Sequence, residues 1–493
     1  MTLCPGKIQT GAMSGDWKRD LQTDIRVISE WGAAAVLSVM EERELTKLKV
    51  STLGDAVEWT GMDWHHLPIP DGGVPDADFE NLWLYSGHRV RQSLMAGKKI
   101  LIHCKGGLGR TGMIAARLMV ELGEPPEDAI RRVRQARGPD AIEPRQEEYV
   151  RRCSPPPVAP MLLDRMLGCL LGGAVGDAFG YEVEFDRWPQ IKKRFGANGI
   201  DKPTVHDGKI RVSDDTQMTL FTLEGLVRSK QAVEQHDIPA VVEGIRLAYL
   251  DWLYTQGEQA AGWKLAGKIA KDSRLVKRRA PGMACLSALR AGGKGSPEKP
   301  INDRKGCGGV MRVAPLGLLE NWKPTEAAEL AARAAALTHG HPSGYLSAAA
   351  MAATVRLTLD AVDLGDAARR AKGIVSDWKG IQETTDKIDA ALEAAQRRER
   401  APRIDVSRLS EGWVGEEALS IGLYSALIGH SFPEVLSIAA NHSGDSDSTA
   451  SIAGQLYGAW KGLADVPNLW IRRLDVLDIL LGLLRQAVSE GLG

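Results

Sequence analysis

The chain has 493 residues, 44% of them hydrophobic and 25% charged, with a formal net charge of -1. That length exceeds one ordinary hydrophobic core, so two or three domains are expected. The near-neutral balance supplies no basic field, so nucleic-acid binding is not expected. Six cysteines lie far apart and form no C-x-x-C pair, which argues against a disulfide framework or zinc site and for a reducing cytoplasm. The first twenty residues lack the apolar core of a signal peptide. The most apolar stretch, MLLDRMLGCLLGGAVGDAFG, is interrupted by Asp164, Arg165 and Asp177. It reads as a buried helix and loop, so no membrane association is expected.

Taken in chain order, the first part alternates helical stretches such as DWKRDLQTDIRVISEWG with short strand-like runs at Ala33–Met40 and Lys98–His103. This alternation predicts an α/β fold with a parallel sheet flanked by helices over residues 1–152. CSPPPVAP, residues 153–160, reads as an extended proline-rich linker, because consecutive prolines neither continue a helix nor pair in a sheet. Residues 161–493 are rich in alanine and leucine at helical spacing, as in EAAELAARAAALTHG and GYLSAAAMAATVRLTLDAV. An all-α domain is predicted there. DKIDAALEAAQRRERAPR is expected to be a solvated helix followed by a loop.

The run LIHCKGGLGRTG sets Cys104 between an apolar strand and a helix predicted over Thr111–Leu122. Its glycines allow backbone N–H groups to converge, and the following helix aims its positive end at the same point. Such a nest favours a thiolate nucleophile. Lys105, Gly106, Gly107, Leu108, Gly109 and Arg110 form the candidate phosphate cradle, with the Arg110 guanidinium suited to phosphoryl oxygens. Thr111 is a candidate hydroxyl donor to the sulfur. A buried structural cysteine is the alternative, but His103, Cys104, Arg110 and Thr111 together fit the H-C-x5-R-[ST] signature of tyrosine and dual-specificity phosphatases.

Cleavage of a phosphoester also needs an acid for the leaving oxygen. WHHLPIPDGGVPD offers Asp71 and Asp76 on a loop punctuated by glycine and proline. This stretch and CKGGLGRT resemble the dual-specificity phosphatases of kinase-associated type, over most of residues 5–150. The resemblance implies general-acid duty for Asp71, with Asp76 as fallback and no cofactor. It loosely matches Gln146 to the position that orients hydrolytic water; a surface helix residue is the alternative.

In the second part, three segments collect oxygen donors. They are GAVGDAFGYEVEF with Asp177, Glu182 and Glu184; VSDDTQ with Ser213, Asp214, Asp215 and Thr216; and NHSGDSDST with Asp445, Asp447, Ser448 and Thr449. Each of the last two could be a helix N-cap. Hard oxygen donors without His or Cys suit Mg²⁺ or Mn²⁺. An EF-hand is excluded, since DSDST lacks the required glycine. The ordered motifs GGAVGDAFG, SDDT, GCGGVMRVAP and GDSDSTA resemble the ADP-ribosylglycohydrolase family, from about Met161 onward. That resemblance implies a compact all-helical fold and two Mg²⁺ or Mn²⁺ ions. Ser213, Asp214, Asp215, Asp445, Asp447 and Ser448 are implied as metal ligands. Glu184 is implied near the substrate ribose, and Asp214 or Glu184 as the group that handles the proton.

The departures are serine at 213 and 448, which keeps the hydroxyl, and Cys307 where an asparagine is usual. His339 and His341 match a pocket-lining pair. The sequence thus predicts a bifunctional hydrolase acting on phosphorylated or ADP-ribosylated protein, with arginine the favoured linkage. The competing reading makes one domain a recognition module that targets the other.

Overall fold

The computed structural model describes every residue except 13–14, 398–405, 407 and 493. These form two compact units, Met1–Pro160 and Met161–Gly493. The loop expected within the charged stretch ending at Arg403 lies outside the described residues; its helix spans Gln382–Arg397.

In the first unit, β1 (Ile8–Gln9) and β2 (Trp17–Lys18) form a small antiparallel pair. The core sheet comprises β3 (Ala33–Ser38), β4 (Asp63–His66) and β5 (Lys99–His103), parallel, in the order β4-β3-β5. Val36, Leu37 and Ile102 are buried in the core, as expected for strands covered on both faces. Ser38 pairs in register with both His66 and His103. The three strands therefore end level, and the loops after them gather at one carboxyl-terminal edge, where α/β sheets place their ligands. The helix after β5 runs Gly109–Glu121. It starts two residues before the predicted Thr111, which puts Arg110 in its first turn.

The second unit is helical throughout apart from isolated bridges, among the described residues. The first helix of this unit begins one residue before its boundary, at Pro160, predicted to end the linker and standing where its missing N–H is tolerated. That helix corrects the sequence reading: Pro160–Gly180 is one continuous helix, with Asp177 inside it and no loop. Its glycines serve packing. Gly168, Gly172, Gly176 and Gly180 recur every four residues and so share one face. They meet Gly458, Gly454, Ala450 and Ser446 of the helix Ser446–Lys461. A Cβ on Gly168 would lie 2.5 Å from the Gly458 carbonyl oxygen, and one on Gly176 would collide with that of Ala450. The two backbones therefore touch. This contact presses the start of Ser446–Lys461, with Asp447 and Ser448, against the end of the first helix.

Gly176→Leu should consequently cost this unit about 3 kcal/mol or more, beyond the usual overpacking range because the obstacle is backbone. Thermal denaturation reads this; an unchanged midpoint would mean that the helices do not need to touch. No helix among the described residues is long and apolar enough to cross a membrane.

Candidate functional sites

At the edge of the first sheet, β5 delivers Cys104 into the loop, 4% exposed. The Gly107 N–H donates to its Sγ at 3.2 Å. Gly107 has φ +74°, and a side chain there would strike the backbone at Thr2 and Leu3. Behind the loop, Trp64 Nε1 donates to Ser38 Oγ at 2.7 Å, and Ser38 Oγ lies 2.6 Å from His103 Nε2. Burial pushes the His103 pKa down to about 3, so its imidazole is neutral.

Arg110 is clamped from two sides. Nη1 and Nη2 donate to the two carboxylate oxygens of Glu44 at 2.6 and 2.8 Å. Nη1 also donates to the Ile69 carbonyl at 2.8 Å, and Nη2 to Asp71 Oδ1 at 3.0 Å. Burial alone would raise the Glu44 carboxyl, yet the hydrogen bonds from Arg110 and the Glu41 backbone outweigh it and hold the group low. Sequence reasoning missed Glu44: EERELTK reads as an ordinary solvated helix, and no local pattern marks one acid as the arginine's partner.

The two acid candidates part company. The Asp71 side chain is 68% exposed and touches the loop arginine. Asp76 accepts from the Phe79 N–H at 2.9 Å and caps the helix Ala77–Met95. The Thr111 hydroxyl is buried with no hydrogen-bond partner, so the expected bond to sulfur is not formed. Lys105 is partly buried, Gly106 and Leu108 are exposed, and Gly109 packs against Gln146. Gln146 is fully buried, against the surface alternative. Its amide donates to the Gly73 carbonyl at 3.2 Å and accepts from the Glu143 N–H at 3.1 Å, which ties the acid loop to the helix Pro144–Arg151.

In the second unit, the SDDT and GDSDS segments meet although 227 residues lie between them. A cavity of about 280 Å³ is lined by Glu184, Asp214, Asp215, Asp445, Asp447 and Ser448, with Cys307 and His339. The cap reading proves right for part of each motif. Ser213 Oγ accepts from the Asp215 N–H at 3.2 Å, and Asp445 Oδ1 accepts from the Ser448 N–H at 3.3 Å. Ser213 is fully buried and is not among the residues that line the cavity. Asp177, from the first helix, organises the SDDT turn. Its carboxylate accepts from the Ser213 N–H at 2.9 Å, the Thr216 N–H at 3.0 Å and the Thr216 hydroxyl. Asp177→Ala would orphan these donors in a fully buried place, at about 3 kcal/mol. Denaturant unfolding of the variant measures that loss, and none is expected if Asp177 is a bystander.

The remaining acids face one another. Burial, then neighbouring carboxylates, pushes Glu184 up to about 9 and Asp215 and Asp447 well above the usual range. Asp215 Oδ2 and Glu184 Oε2 are buried with no hydrogen-bond partner. Among the described residues, no three His, Cys, Asp or Glu side chains are drawn into a finished metal cluster. In donor chemistry the set nonetheless fits a hard divalent cation, which would relieve the mutual repulsion of the carboxylates and engage the orphaned oxygens. Cys307 Sγ donates to Asp445 Oδ2 at 2.8 Å, so the cysteine that departs from the family pattern touches a candidate ligand.

His339 lines the cavity, neutral, its pKa driven to about 3 by burial. His341 instead caps the helix Pro342–Leu359, accepting from the Ser343 N–H at 3.2 Å. Two residues that the sequence left unmarked form part of the lining, Phe185 and Trp413. Their rings stack with centroids 6.5 Å apart, and Phe185 is 72% exposed. A larger cavity of about 600 Å³ lies among Glu224, Trp263, Ile269 and Leu483 and holds none of the motif residues.

Comparison with known proteins agrees with this division. The ADP-ribosylglycohydrolase family profile matches residues 159–491. The profile of cyclin-dependent kinase inhibitor 3 matches residues 3–130. Among curated relatives, rat cyclin-dependent kinase inhibitor 3 is 36% identical over 135 residues, 27% of this chain. That match spans only 62% of the rat protein. ADP-ribosyl-[dinitrogen reductase] glycohydrolase of Rhodospirillum rubrum is 25% identical over 324 residues, covering 64% of this chain and 92% of its own length. Mouse ADP-ribosylhydrolase ARH3 is 24% identical over 340 residues, 62% of this chain and 86% of that protein.

Proposed function

We propose a function for a chain that belongs to the ADP-ribosylglycohydrolase family and carries a dual-specificity phosphatase domain of the cyclin-dependent kinase inhibitor 3 type ahead of it. It is a bifunctional hydrolase that removes phosphate from phosphoprotein at Cys104 and ADP-ribose from modified protein at the acidic cavity. What supports this reading is that Arg110 and Asp71 meet at the Cys104 loop in one unit, and that Glu184, Asp214, Asp215, Asp445 and Asp447 line one cavity in the other.

In the first site the Cys104 thiolate attacks phosphorus, and the bond to the leaving oxygen breaks as the S–P bond forms. Loop amides and Arg110 hold the phosphoryl oxygens, where charge builds in the transition state. Glu44 fixes the fork of Arg110, and Asp71, exposed and adjacent, protonates the leaving oxygen. Water then attacks the phosphocysteine, releases phosphate and restores the thiolate. Asp71→Ala should slow turnover by roughly 10²- to 10⁴-fold. Asp76→Ala should leave the chemistry intact and cost about 1 kcal/mol of stability through its lost cap. Stopped-flow phosphate release on both variants decides; the reverse pattern would transfer the acid role to Asp76.

In the second site Asp214, Asp215, Asp445, Asp447 and Ser448 would hold two Mg²⁺ or Mn²⁺ ions, with Ser213 at the turn that positions them. Such ions orient a ribose diol and lower the pKa of water. Glu184, on the cavity wall, or Asp214 takes the proton from the water that replaces the leaving group at C1 of the ribose. Arginine is the proposed linkage, as the motif resemblance implies; the Rhodospirillum relative is named for ADP-ribosyl-[dinitrogen reductase]. Release of ADP-ribose from arginine-modified and serine-modified peptides, with and without EDTA, tests this. Metal-dependent release from the arginine peptide alone is expected; release from serine only would correct the linkage, and full activity in EDTA would remove the metals.

A further inference from the structure

We infer that Cys307 is a positioning residue for the acidic cavity: its thiol donates to Asp445 and fixes that carboxylate for a divalent cation. The inference rests on the dimetal reading and adds to it a residue that lies outside both donor-rich motifs.

Asp445 is 4% exposed, and both of its carboxylate oxygens have donors. Oδ1 accepts from the Ser448 N–H at 3.3 Å, and Oδ2 accepts from Cys307 Sγ at 2.8 Å. The first donor belongs to the helix that Asp445 caps, Ser446–Lys461. The second arrives from a distant loop and sets the rotation of the carboxylate from outside its own helix. Asp215 Oδ2 and Glu184 Oε2 line the same cavity and have no hydrogen-bond partner. A carboxylate oxygen that accepts one hydrogen bond keeps a lone pair free, so the thiol does not compete with a cation for Asp445. Donors of this kind orient metal ligands.

Cys307 is itself anchored. Its N–H donates to the Trp413 carbonyl at 3.2 Å, and the Gly415 N–H donates to the Lys305 carbonyl at 2.9 Å. The Lys305 ammonium donates to Glu383 at 2.8 Å and to Glu416 at 2.9 Å, which ties the segment to two helices. A Cβ on Gly309 would lie 2.4 Å from the Gly344 carbonyl oxygen, so the loop is pressed against the helix Pro342–Leu359. The thiol is thus held against Asp445 from both ends of the loop. A donor suits this place better than a further ligand. Glu184, Asp214, Asp215, Asp445 and Asp447 already share the cavity, another anion among them is unfavourable, and Mg²⁺ and Mn²⁺ prefer oxygen to sulfur.

The test uses the full-length chain and Mn²⁺ alone, with binding followed by calorimetry. Cys307→Ala and Cys307→Val remove the donor, one with its volume and one without. Both should weaken Mn²⁺ binding by about 10- to 100-fold, the scale of a lost outer partner. Cys307→Ser and Cys307→Asn restore a donor and should recover most of the affinity. Native affinity in either donor-less variant, or an equal loss in all four, overturns the inference while the dimetal reading stands. Failure of the native chain to bind Mn²⁺ or Mg²⁺ removes both together. A sulfur-to-metal charge-transfer band on titration with Co²⁺, absent from Cys307→Ser, would make Cys307 a ligand and overturn its positioning role.

Discussion

Replacing Cys104 with serine should lower phosphoester hydrolysis by roughly 10⁵- to 10⁶-fold, the scale seen when a covalent nucleophile is removed. Phosphate binding should survive. The cradle consists of loop amides and Arg110, and Arg110 is held by Glu44 and the Ile69 carbonyl independently of the sulfur. The Gly107 N–H would meet a serine oxygen in place of Sγ. A hydroxyl ionises far less readily than a thiol, so the nest that favours a thiolate supplies too little for an alkoxide. Single-turnover phosphate release, with calorimetric titration of inorganic phosphate, separates the two effects. A variant that loses binding together with turnover would make Cys104 part of the scaffold.

The acidic cavity makes the opposite prediction for stability. Asp445→Asn combined with Asp447→Asn should reduce ADP-ribose release by ~10²-fold or more, because direct ligands matter at least as much as outer partners do. Without metal, the same variant should be at least as stable as the native chain. Asp447 is buried among Asp215, Asp445 and Glu184, and their repulsion raises its pKa well above normal. A neutral amide relieves that repulsion while keeping the volume. Thermal melts in EDTA and with added Mn²⁺ measure this. Mn²⁺ should raise the midpoint of the native chain and leave the variant unmoved.

The first site was largely legible because its chemistry is local. Strand, cysteine, glycine loop, Arg110 and helix follow one another within a dozen residues, and each has a backbone reason to be there. Glu44 was invisible because its role is set by tertiary structure: the level ends of β3, β4 and β5 bring its helix to Arg110. Asp71 and Asp76 share one loop, and in sequence the family resemblance alone ranks Asp71 first. Geometry adds the physical difference between an exposed acid on the arginine and a helix cap.

In the second unit the donor-rich motifs could be read, but what joins them could not. Residues 161–180 read as a helix and loop, and their four-residue glycine spacing, which weakens an isolated helix, names no partner. In the fold it lets two backbones touch, and that tertiary gain outweighs the propensity. Phe185 and Trp413 carried no signal, since single exposed aromatics are common. The division into an α/β part and an all-helical part was readable throughout, because hydrophobic period and proline content both change near residue 153.

The central claim is that one chain holds two hydrolytic centres, each complete in itself. The most direct measurement takes full-length Cys104→Ser and full-length Asp445→Asn/Asp447→Asn and assays both on a chromogenic phosphoester and on ADP-ribosyl-arginine peptide. The first should lose only phosphate release and the second only ADP-ribose release. Loss of both activities in either protein would contradict independent sites.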